Sequence, residues 1–201
     1  MNFRYNNQKF KKRKLANTEL EEEPSMSNFN ISTKGNHIYF YEEINKETIM
    51  ELINQIKDLE EFLLNMKYIY EVEPIIKLHI YSNGGDAYMG LSTYDFIKNM
   101  QIPIYTYIDG MIASAATFIY LAGSNRFMTE NSTILMHQLS TGFWGKYEDL
   151  KDEYKNTSEL MRIIKKIYSE NTNMKKKEID DLLKRELLLT YNDAKKYKII
   201  T

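Results

Sequence analysis

The sequence predicts one α/β domain of stacked βαβ units with an outlying helix. Strand-like runs rich in β-branched and aromatic residues alternate with segments whose apolar residues recur at helical spacing. Three motifs of small or polar residues follow predicted strands, and open α/β sheets gather their ligand sites at such strand ends. The 201 residues are 43% hydrophobic, which is enough for one buried core.

Composition limits the chemistry and the partners. The formal net charge is −1, so no overall positive field favours nucleic acid or an anionic membrane as a partner. The chain has no cysteine and three histidines, which excludes disulfides, thiolate metal sites and a cysteine nucleophile. No apolar run approaches the roughly 18 residues of a membrane span, and no apolar segment follows the basic N-terminus as in a secretory signal. We therefore expect a cytoplasmic protein with neither a membrane nor a nucleic-acid partner.

The first part of the chain differs in character from the rest. Residues 1–36 change from a basic run at 9–14 to an acidic run at 19–23, followed by a Ser/Asn-rich stretch. We interpret 1–36 as a flexible N-terminal arm and 37–201 as the folded domain. The basic run is compatible with a docking or nucleic-acid arm, although such runs are more often solvated tails.

The first half of the folded part reads as strand, helix, strand, helix, strand. An aromatic and β-branched run at 38–41 predicts a strand, and Asn45 is a suitable N-cap for a long helix. The next strand is predicted at 75–81, and it ends in a glycine-containing turn. A helix with Leu91 and Ile97 on its apolar face and a strand at 104–108 follow.

The second half opens with a run of small residues at 110–116, which we expect to enter a helix that stops at Gly123. Short strands are predicted around Phe127 and at 134–136. The segment 146–171 is charged yet periodic, which predicts a long helix that projects from the body or packs on a partner. Shorter helices at 175–184 and 191–197 end the chain.

Three segments combine residues that could carry chemistry. Ser82-Asn83-Gly84-Gly85 follows a strand, and its glycine amides could donate to a developing oxyanion, although a simple turn remains an alternative. Ser114 lies among alanines at a predicted helix start, where a nucleophile would be sterically open; a small residue for tight packing is the other interpretation. His137 ends an apolar strand and could act as the base for Ser114, whereas His37 and His79 lie inside strands.

These segments together resemble the Clp peptidase proteolytic subunit from about residue 37 to the C-terminus. The turn is similar to the family's Ser-Pro-Gly-Gly, with Asn83 in place of proline. The run from Gly110 to Ala116 resembles the family's nucleophile motif, and Leu135-Met136-His137-Gln138 resembles its Met-Ile-His-Gln. The resemblance implies a ClpP/crotonase-like fold with a handle helix. It also implies Ser114 as nucleophile, His137 as base, and the amides of Gly85 and Ala115 as oxyanion donors.

The third member of the triad departs from the family pattern. Glu186 stands where the family has aspartate, in a segment running from Lys184 to Thr190. One more methylene moves the carboxylate by about the length of a bond, and catalytic hydrogen bonds tolerate little error. Asp180 and Asp181 are the alternative carboxylates. Lys198 replaces a family glycine, and the connection between the nucleophile and the base is shorter than in housekeeping bacterial subunits.

The resemblance implies an ATP-dependent serine endopeptidase subunit that hydrolyses unfolded polypeptides inside an oligomeric chamber. The implied partners are further copies of the chain in heptameric rings, alone or paired, and an AAA+ unfoldase of the Clp type. ATP would enter through that unfoldase, because the chain has no P-loop pattern. No metal or organic cofactor is expected. The alternatives are a non-catalytic ring subunit, a phage-type capsid-maturation protease of the same fold, and a crotonase-type acyl-CoA enzyme.

Overall fold

The computed structural model describes residues 30–71 and 73–201. Most of the predicted arm therefore lies outside the described residues. Its last part forms a strand, β1 (Ile31–Lys34), which pairs antiparallel with β2 (His37–Phe40). The sheet thus begins before residue 37, because the turn at Gly35 lets the chain fold back on itself.

The described strands form one seven-stranded, mixed sheet in the order β1-β2-β3-β4-β6-β7, and β5 also pairs with β4. Its centre is parallel, with β2, β3 (Ile76–Ser82) and β4 (Ile104–Ala113) side by side. The long β4 holds β5 (Asn125–Met128) near its start and β6 (Thr133–Leu135) near its end. The edge strand β7 (Leu188–Leu189) runs antiparallel to β6.

Helices connect the parallel strands, which confirms the predicted α/β fold class. Helix α1 (Lys46–Tyr70) joins β2 to β3, and its N-cap is Asn45, as predicted. Asn45 and Thr48 form a capping box, in which each side chain accepts from the other residue's backbone N–H. Helix α2 (Ala87–Lys98) joins β3 to β4 and is capped by Asp86.

The inner face of the sheet forms the core because its strands alternate. Side chains at every second position of β2, β3 and β4 are buried against the helices, and helix α1 contributes an apolar stripe at helical spacing. The buried strand residues are Ile38, Phe40, Leu78, Ile80, Ile104 and Ile108, and the stripe of α1 consists of Ile49, Leu52, Ile56 and Leu59.

The outer face of the same strands carries a row of stacked rings. His79 lies at its centre and stacks on Tyr39 and Tyr107 with ring centroids 4.7 Å apart on both sides. Nδ1 of His79 lies 3.0 Å from Oδ2 of Asp109, and Nε2 lies 2.9 Å from Nδ1 of His37. The two strand histidines are therefore sheet residues, as predicted, and lie outside the cleft described below.

The segment after β4 differs from the prediction. The strand continues through Ala113, and the helix α3 (Ala116–Leu121) begins only after Ser114 and Ala115. The helix does stop at the predicted place, because α3 ends at Leu121 with Ala122 as its C-cap and Gly123 directly after it, although Gly123 does not adopt a positive φ. Gly123 instead packs on β4, where a Cβ would lie 2.3 Å from Oγ1 of Thr106.

The remaining predicted helices are present. They are α4 (Tyr147–Asn171), α5 (Lys176–Leu183) and α6 (Tyr191–Lys196). Lys198, which stands where the resembling family has glycine, has a φ of +51°. This left-handed conformation explains why glycine suits the position. No helix of the described part is long and apolar enough to cross a membrane.

Candidate active site

A cleft of about 910 Å³ opens where β3, β4 and β6 end. Parallel strands place their carboxyl ends at one edge of a sheet, so the segments that follow them meet there. Ser114, His137 and the turn at Gly84 and Gly85 all line this cleft, and the middle of α4, from Glu153 to Ile164, forms its other wall. The structure thus brings together the three segments singled out in the sequence.

Ser114 occupies a sharp turn between β4 and α3. Its φ is +53°, a left-handed conformation that costs a residue with a side chain about 1–2 kcal/mol. Its N–H donates to the carbonyl of Leu135 at 2.9 Å, so the ladder between β4 and β6 continues onto the serine itself. The turn places the half-buried Ser114 side chain at the cleft wall.

Gly84 lies against this turn. A Cβ at Gly84 would lie 2.6 Å from Cβ of Ser114 and 2.7 Å from the carbonyl oxygen of Ala113. Both distances are shorter than van der Waals contact, and the φ of Gly84 is +92°. Only glycine therefore allows the two segments to approach this closely.

Gly85 is held from its other side by Ile44. The N–H of Ile44 donates to the carbonyl of Gly84 at 2.8 Å, and the N–H of Asp86 donates to the carbonyl of Ile44 at 2.7 Å. These two bonds engage the carbonyl of Gly84 and the N–H of Asp86, which flank Gly85. The N–H of Gly85 itself points away from Ile44. Within residues 30–71 and 73–201, the N–H groups of Gly85 and Ala115 make no hydrogen bond. Ala115 directly follows Ser114, and Gly85 directly follows Gly84, which packs on Ser114.

His137 follows β6, whose register with β4 places Leu135 beside Ala113. Its Nδ1 lies 2.7 Å from the carbonyl oxygen of Gln138. A carbonyl can only accept, so Nδ1 carries the proton and Nε2 carries a lone pair. In the described part of the chain no hydrogen bond joins His137 to Ser114.

The strand register leads toward a position for Glu186 beside His137, but no hydrogen bond joins the two in the described part of the chain. Strand β7 pairs Leu188 with Leu135, and continuing this antiparallel register would set Glu186 opposite His137. The chain leaves the register first, because the N–H of Gln138 donates to the carbonyl of Leu183. Glu186 is exposed on the resulting bulge, and the described residues offer it no hydrogen bond.

The two alternative carboxylates also lie outside the cleft lining. Oδ1 of Asp180 lies 2.7 Å from Nζ of Lys165, and this ion pair lowers the pKa of the aspartate. Asp181 is exposed on α5. Asp180 is therefore paired with a lysine of α4. In the described part of the chain none of the three candidate carboxylates hydrogen-bonds His137.

The rest of the cleft wall combines an apolar floor with acidic groups. Phe118 and three aliphatic side chains of α4 supply apolar surface, and no lysine or arginine is among the lining residues. No group of three or more histidine, aspartate or glutamate side chains suited to a metal occurs in the described residues. The aliphatic residues are Leu160, Ile163 and Ile164, and the acidic ones are Glu42, Glu43, Asp86, Glu153 and Glu159.

Comparisons with known proteins identify the family of the chain. The family model named Clp protease matches residues 22–201, and the chain belongs to this family. It is 32% identical to ATP-dependent Clp protease proteolytic subunit 2 of Treponema denticola over 161 residues, or 79% of this chain and 76% of that one. It is 30% identical to the ATP-dependent Clp protease proteolytic subunit of Deinococcus radiodurans over 130 residues, or 64% of either chain.

A solved structure shows the same fold. A mutant ClpP1 from Listeria monocytogenes superimposes with a TM-score of 0.71 at 26% identity, covering 83% of this chain and 89% of that one. This likeness confirms the predicted ClpP/crotonase-like fold.

Sequence reasoning missed three residues that shape the site. Ile44 holds the glycine turn through its backbone, and this contact leaves no pattern in side-chain identity. Thr117 and Tyr168 hydrogen-bond each other beneath Ser114. The sequence held one weak signal for that pair, since both are polar residues at positions that helical periodicity places on a buried face.

Gly85→Ala is expected to destabilise the turn and the site together. The φ of Gly85 is +144°, and a Cβ would lie 2.1 Å from the carbonyl oxygen of Ile44. We expect the free energy of unfolding to fall by about 2 kcal/mol or more, measured by denaturant unfolding. Gly142→Ala is the matched control, because a Cβ there has no neighbour within 4 Å. Equal stability of the two variants would contradict the packing described for this turn.

Proposed function

We propose that this chain is a serine endopeptidase subunit that hydrolyses unfolded polypeptides. The observation that carries the proposal is the arrangement around Ser114. A serine in a left-handed turn shares a cleft with a strand-end histidine, and two backbone N–H groups without partners among the described residues lie beside it. A nucleophile, a base and preorganised donors are the parts that acyl transfer requires.

In the proposed mechanism, Nε2 of His137 accepts the proton of Ser114 Oγ as this oxygen attacks the scissile carbonyl. The N–H groups of Gly85 and Ala115 donate to the tetrahedral oxyanion. The histidine then protonates the leaving amine, and an acyl-enzyme on Ser114 remains. Water attacks this ester with His137 again as the base, which restores the free serine.

The bond from His137 Nδ1 to the Gln138 carbonyl supports the base role. It selects the tautomer in which Nε2 has the lone pair that must receive the serine proton. A neutral carbonyl stabilises the imidazolium formed during the reaction less than a carboxylate would. We therefore assign Glu186 as the third triad member, which reaches His137 when substrate closes the site, since catalytic contacts in free enzymes are often long.

A peptide substrate would bind as an extended strand beside the glycine turn. Backbone hydrogen bonds give such binding affinity with little sequence preference. The apolar floor made by Phe118 and the aliphatic residues of α4 would hold a side chain next to the scissile bond.

The chain is also proposed to work in an oligomer with an AAA+ unfoldase of the Clp type, in the cytoplasm. Both relatives named above are called proteolytic subunits of ATP-dependent proteases. Helix α4 supports assembly, because its first half presents apolar side chains to solvent. Tyr147 is 70% exposed and Tyr154 is 76% exposed, with Leu150 between them, and Trp144 just before the helix is 97% exposed. A second copy of the chain would cover this stripe in paired heptameric rings.

One observation favours a second candidate, a ring subunit without activity of its own. Glu186 is exposed and is not bonded to His137. The presence of Ser114 and His137 in one cleft favours the enzyme instead. A fluorophosphonate probe decides between them, since it labels an activated serine and leaves an inactive subunit unlabelled. A phage-type processing protease would share this chemistry and differ in its substrates.

Ser114→Ala is expected to abolish hydrolysis of a short fluorogenic peptide while folding and assembly stay intact. The alanine fits the same turn, and only the nucleophilic oxygen is lost. Ser140→Ala is the control, because Ser140 also lines the cleft and has no proposed chemical role. Activity of Ser114→Ala near that of the wild type would remove this serine from the mechanism.

Glu186→Gln is expected to lower kcat by orders of magnitude with little change in stability, because an amide cannot balance the imidazolium charge. Glu186→Asp restores the family residue and should be tolerated or faster. Asp181→Asn is the matched control on the neighbouring helix. If Glu186→Gln is harmless and Asp180→Asn or Asp181→Asn is crippling, the triad carboxylate comes from α5. If all three amide variants are harmless, the Gln138 carbonyl alone suffices.

Light scattering should give a mass several times that of the 23.9 kDa chain, corresponding to one or two heptameric rings. Replacing Tyr147 and Tyr154 by serine should reduce this mass, because it removes the apolar stripe that a neighbour covers. Tyr88→Ser, at an exposed position on α2, is the control. A monomer that is active as it stands would contradict the assembly.

A further inference from the structure

The carbonyl group of Ser114 has two hydrogen-bond donors, both from Thr117. The backbone N–H of Thr117 donates at 3.0 Å, as expected in the first turn of a helix. The hydroxyl of Thr117 donates to the same carbonyl oxygen at 2.6 Å. A hydroxyl bond to the carbonyl one turn earlier is common for threonine in helices, and here it is the shorter of the two bonds.

Tyr168 on α4 supplies the next link. Its hydroxyl oxygen lies 2.8 Å from Oγ1 of Thr117. A threonine hydroxyl has one proton, and a carbonyl can only accept, so the proton of Thr117 points to Ser114. Tyr168 must therefore donate to Thr117. The result is a chain with one direction, from Tyr168 through Thr117 to the carbonyl of Ser114.

These hydrogen bonds are shielded from solvent. Thr117 is 2% exposed and Tyr168 is 1% exposed, and the ring of Tyr168 packs on Phe118 with centroids 5.8 Å apart. Burial raises the pKa of the Tyr168 hydroxyl, so it remains a donor throughout the range in which proteins work. A buried donor that loses its partner finds no water to replace it, so breaking either bond costs free energy. The arrangement is therefore rigid.

The position of the chain matters because the carbonyl of Ser114 and the N–H of Ala115 belong to one peptide unit. A peptide unit is planar, and in its trans form the C=O and N–H point in opposite directions. Fixing the carbonyl oxygen toward Thr117 therefore fixes the Ala115 N–H on the other side. In the described part of the chain that N–H has no partner.

We propose that Thr117 and Tyr168 are positioning residues that fix the Ser114–Ala115 peptide plane and aim the Ala115 N–H at the oxyanion. The inference rests on the proposed function for its effect on catalysis, and on the hydrogen-bond chain for its effect on structure. Helix α4 thereby contributes to the oxyanion site through Tyr168 without touching substrate there.

Thr117→Val tests the proposal, because valine keeps the shape of threonine and removes the hydroxyl. We expect kcat to fall about tenfold or more with KM within about twofold, since loss of a whole oxyanion donor costs about 100- to 1,000-fold. Thr117→Ser retains the hydroxyl and should keep most of the activity. Tyr168→Phe should give a smaller fall, and the double variant should behave as Thr117→Val alone, because both changes break one chain.

Thr106→Val is the matched control. Thr106 is also fully buried, and its hydroxyl donates to a carbonyl of α3, that of Tyr120, at 2.8 Å. It has no link to Ser114, so its variant should lose stability without a selective loss of kcat. Equal kcat in the Thr106→Val and Thr117→Val variants would overturn the proposal.

Amide hydrogen exchange separates the inference from the proposed function. The backbone N–H of residue 117 is bonded to the Ser114 carbonyl and, after correction for intrinsic rates, should exchange about tenfold faster in Thr117→Val and faster in Tyr168→Phe, but not in Thr106→Val. If the wild type fails to hydrolyse peptide or react with fluorophosphonate, the function fails while the exchange rates still decide the positioning. Unchanged exchange, or faster exchange with unchanged kcat in an active enzyme, would overturn the proposal. Should Thr117→Val fail to fold, Tyr168→Phe decides alone.

Discussion

The close approach of the Gly84–Gly85 turn to Ser114 is the constraint on which the site depends. The turn is held between Ile44 on one side and the end of β4 on the other, with no room for a side chain at either glycine. Because Gly84 packs directly on Ser114, the two N–H groups proposed as donors have a fixed separation. Any shift of β2, β3 or β4 along its neighbour would separate these elements, so the register of the central sheet also sets the geometry of the cleft.

Strand β4 serves two neighbours in succession, and this division shapes the molecule. Its first half, at the end of the sheet far from the cleft, pairs with β5. Its second half, which leads to the cleft, pairs with β6. The hydrogen bond from Ser114 to Leu135 is the last of that second ladder. His137 follows two residues later, just beyond the paired residues of β6, so this ladder fixes where Ser114 and His137 enter the cleft. Glu186 lies just outside this ladder, on the exposed segment before β7.

Much of the architecture could be read from local pattern. The cap at Asn45, the buried stripe of α1 and the alternation in β3 are written in consecutive residues, and so is the strand-end position of His137. The boundary at Ser114 could not be read in this way. Alanine and glycine from 110 to 116 suit either a strand or a helix, and the choice is made by pairing with β6. The close packing of Gly123 on Thr106 is hidden for a related reason, since it joins the end of a helix to a neighbouring strand.

The proposed catalytic carboxylate shows the same limit from another direction. The family resemblance selects Glu186, and the register of β7 agrees with that choice, yet the backbone path after Leu183 decides where the side chain lies. The pairing of Thr117 with Tyr168 left only a weak signal in the sequence, because it joins residues on two helices. Contacts of this kind depend on packing between elements, which no periodicity within one element can reveal.

The loop before α4 has a practical consequence. Trp144 is the single tryptophan of the chain, and it stands almost fully in solvent next to the apolar stripe of α4. Its indole ring is therefore an intrinsic fluorophore located on the surface that a neighbouring copy would cover, while the sixteen tyrosines are spread over the whole molecule. Emission excited selectively from this one ring follows the burial of that surface in real time and without any attached dye. The intrinsic fluorescence of Trp144 can therefore be used to follow association.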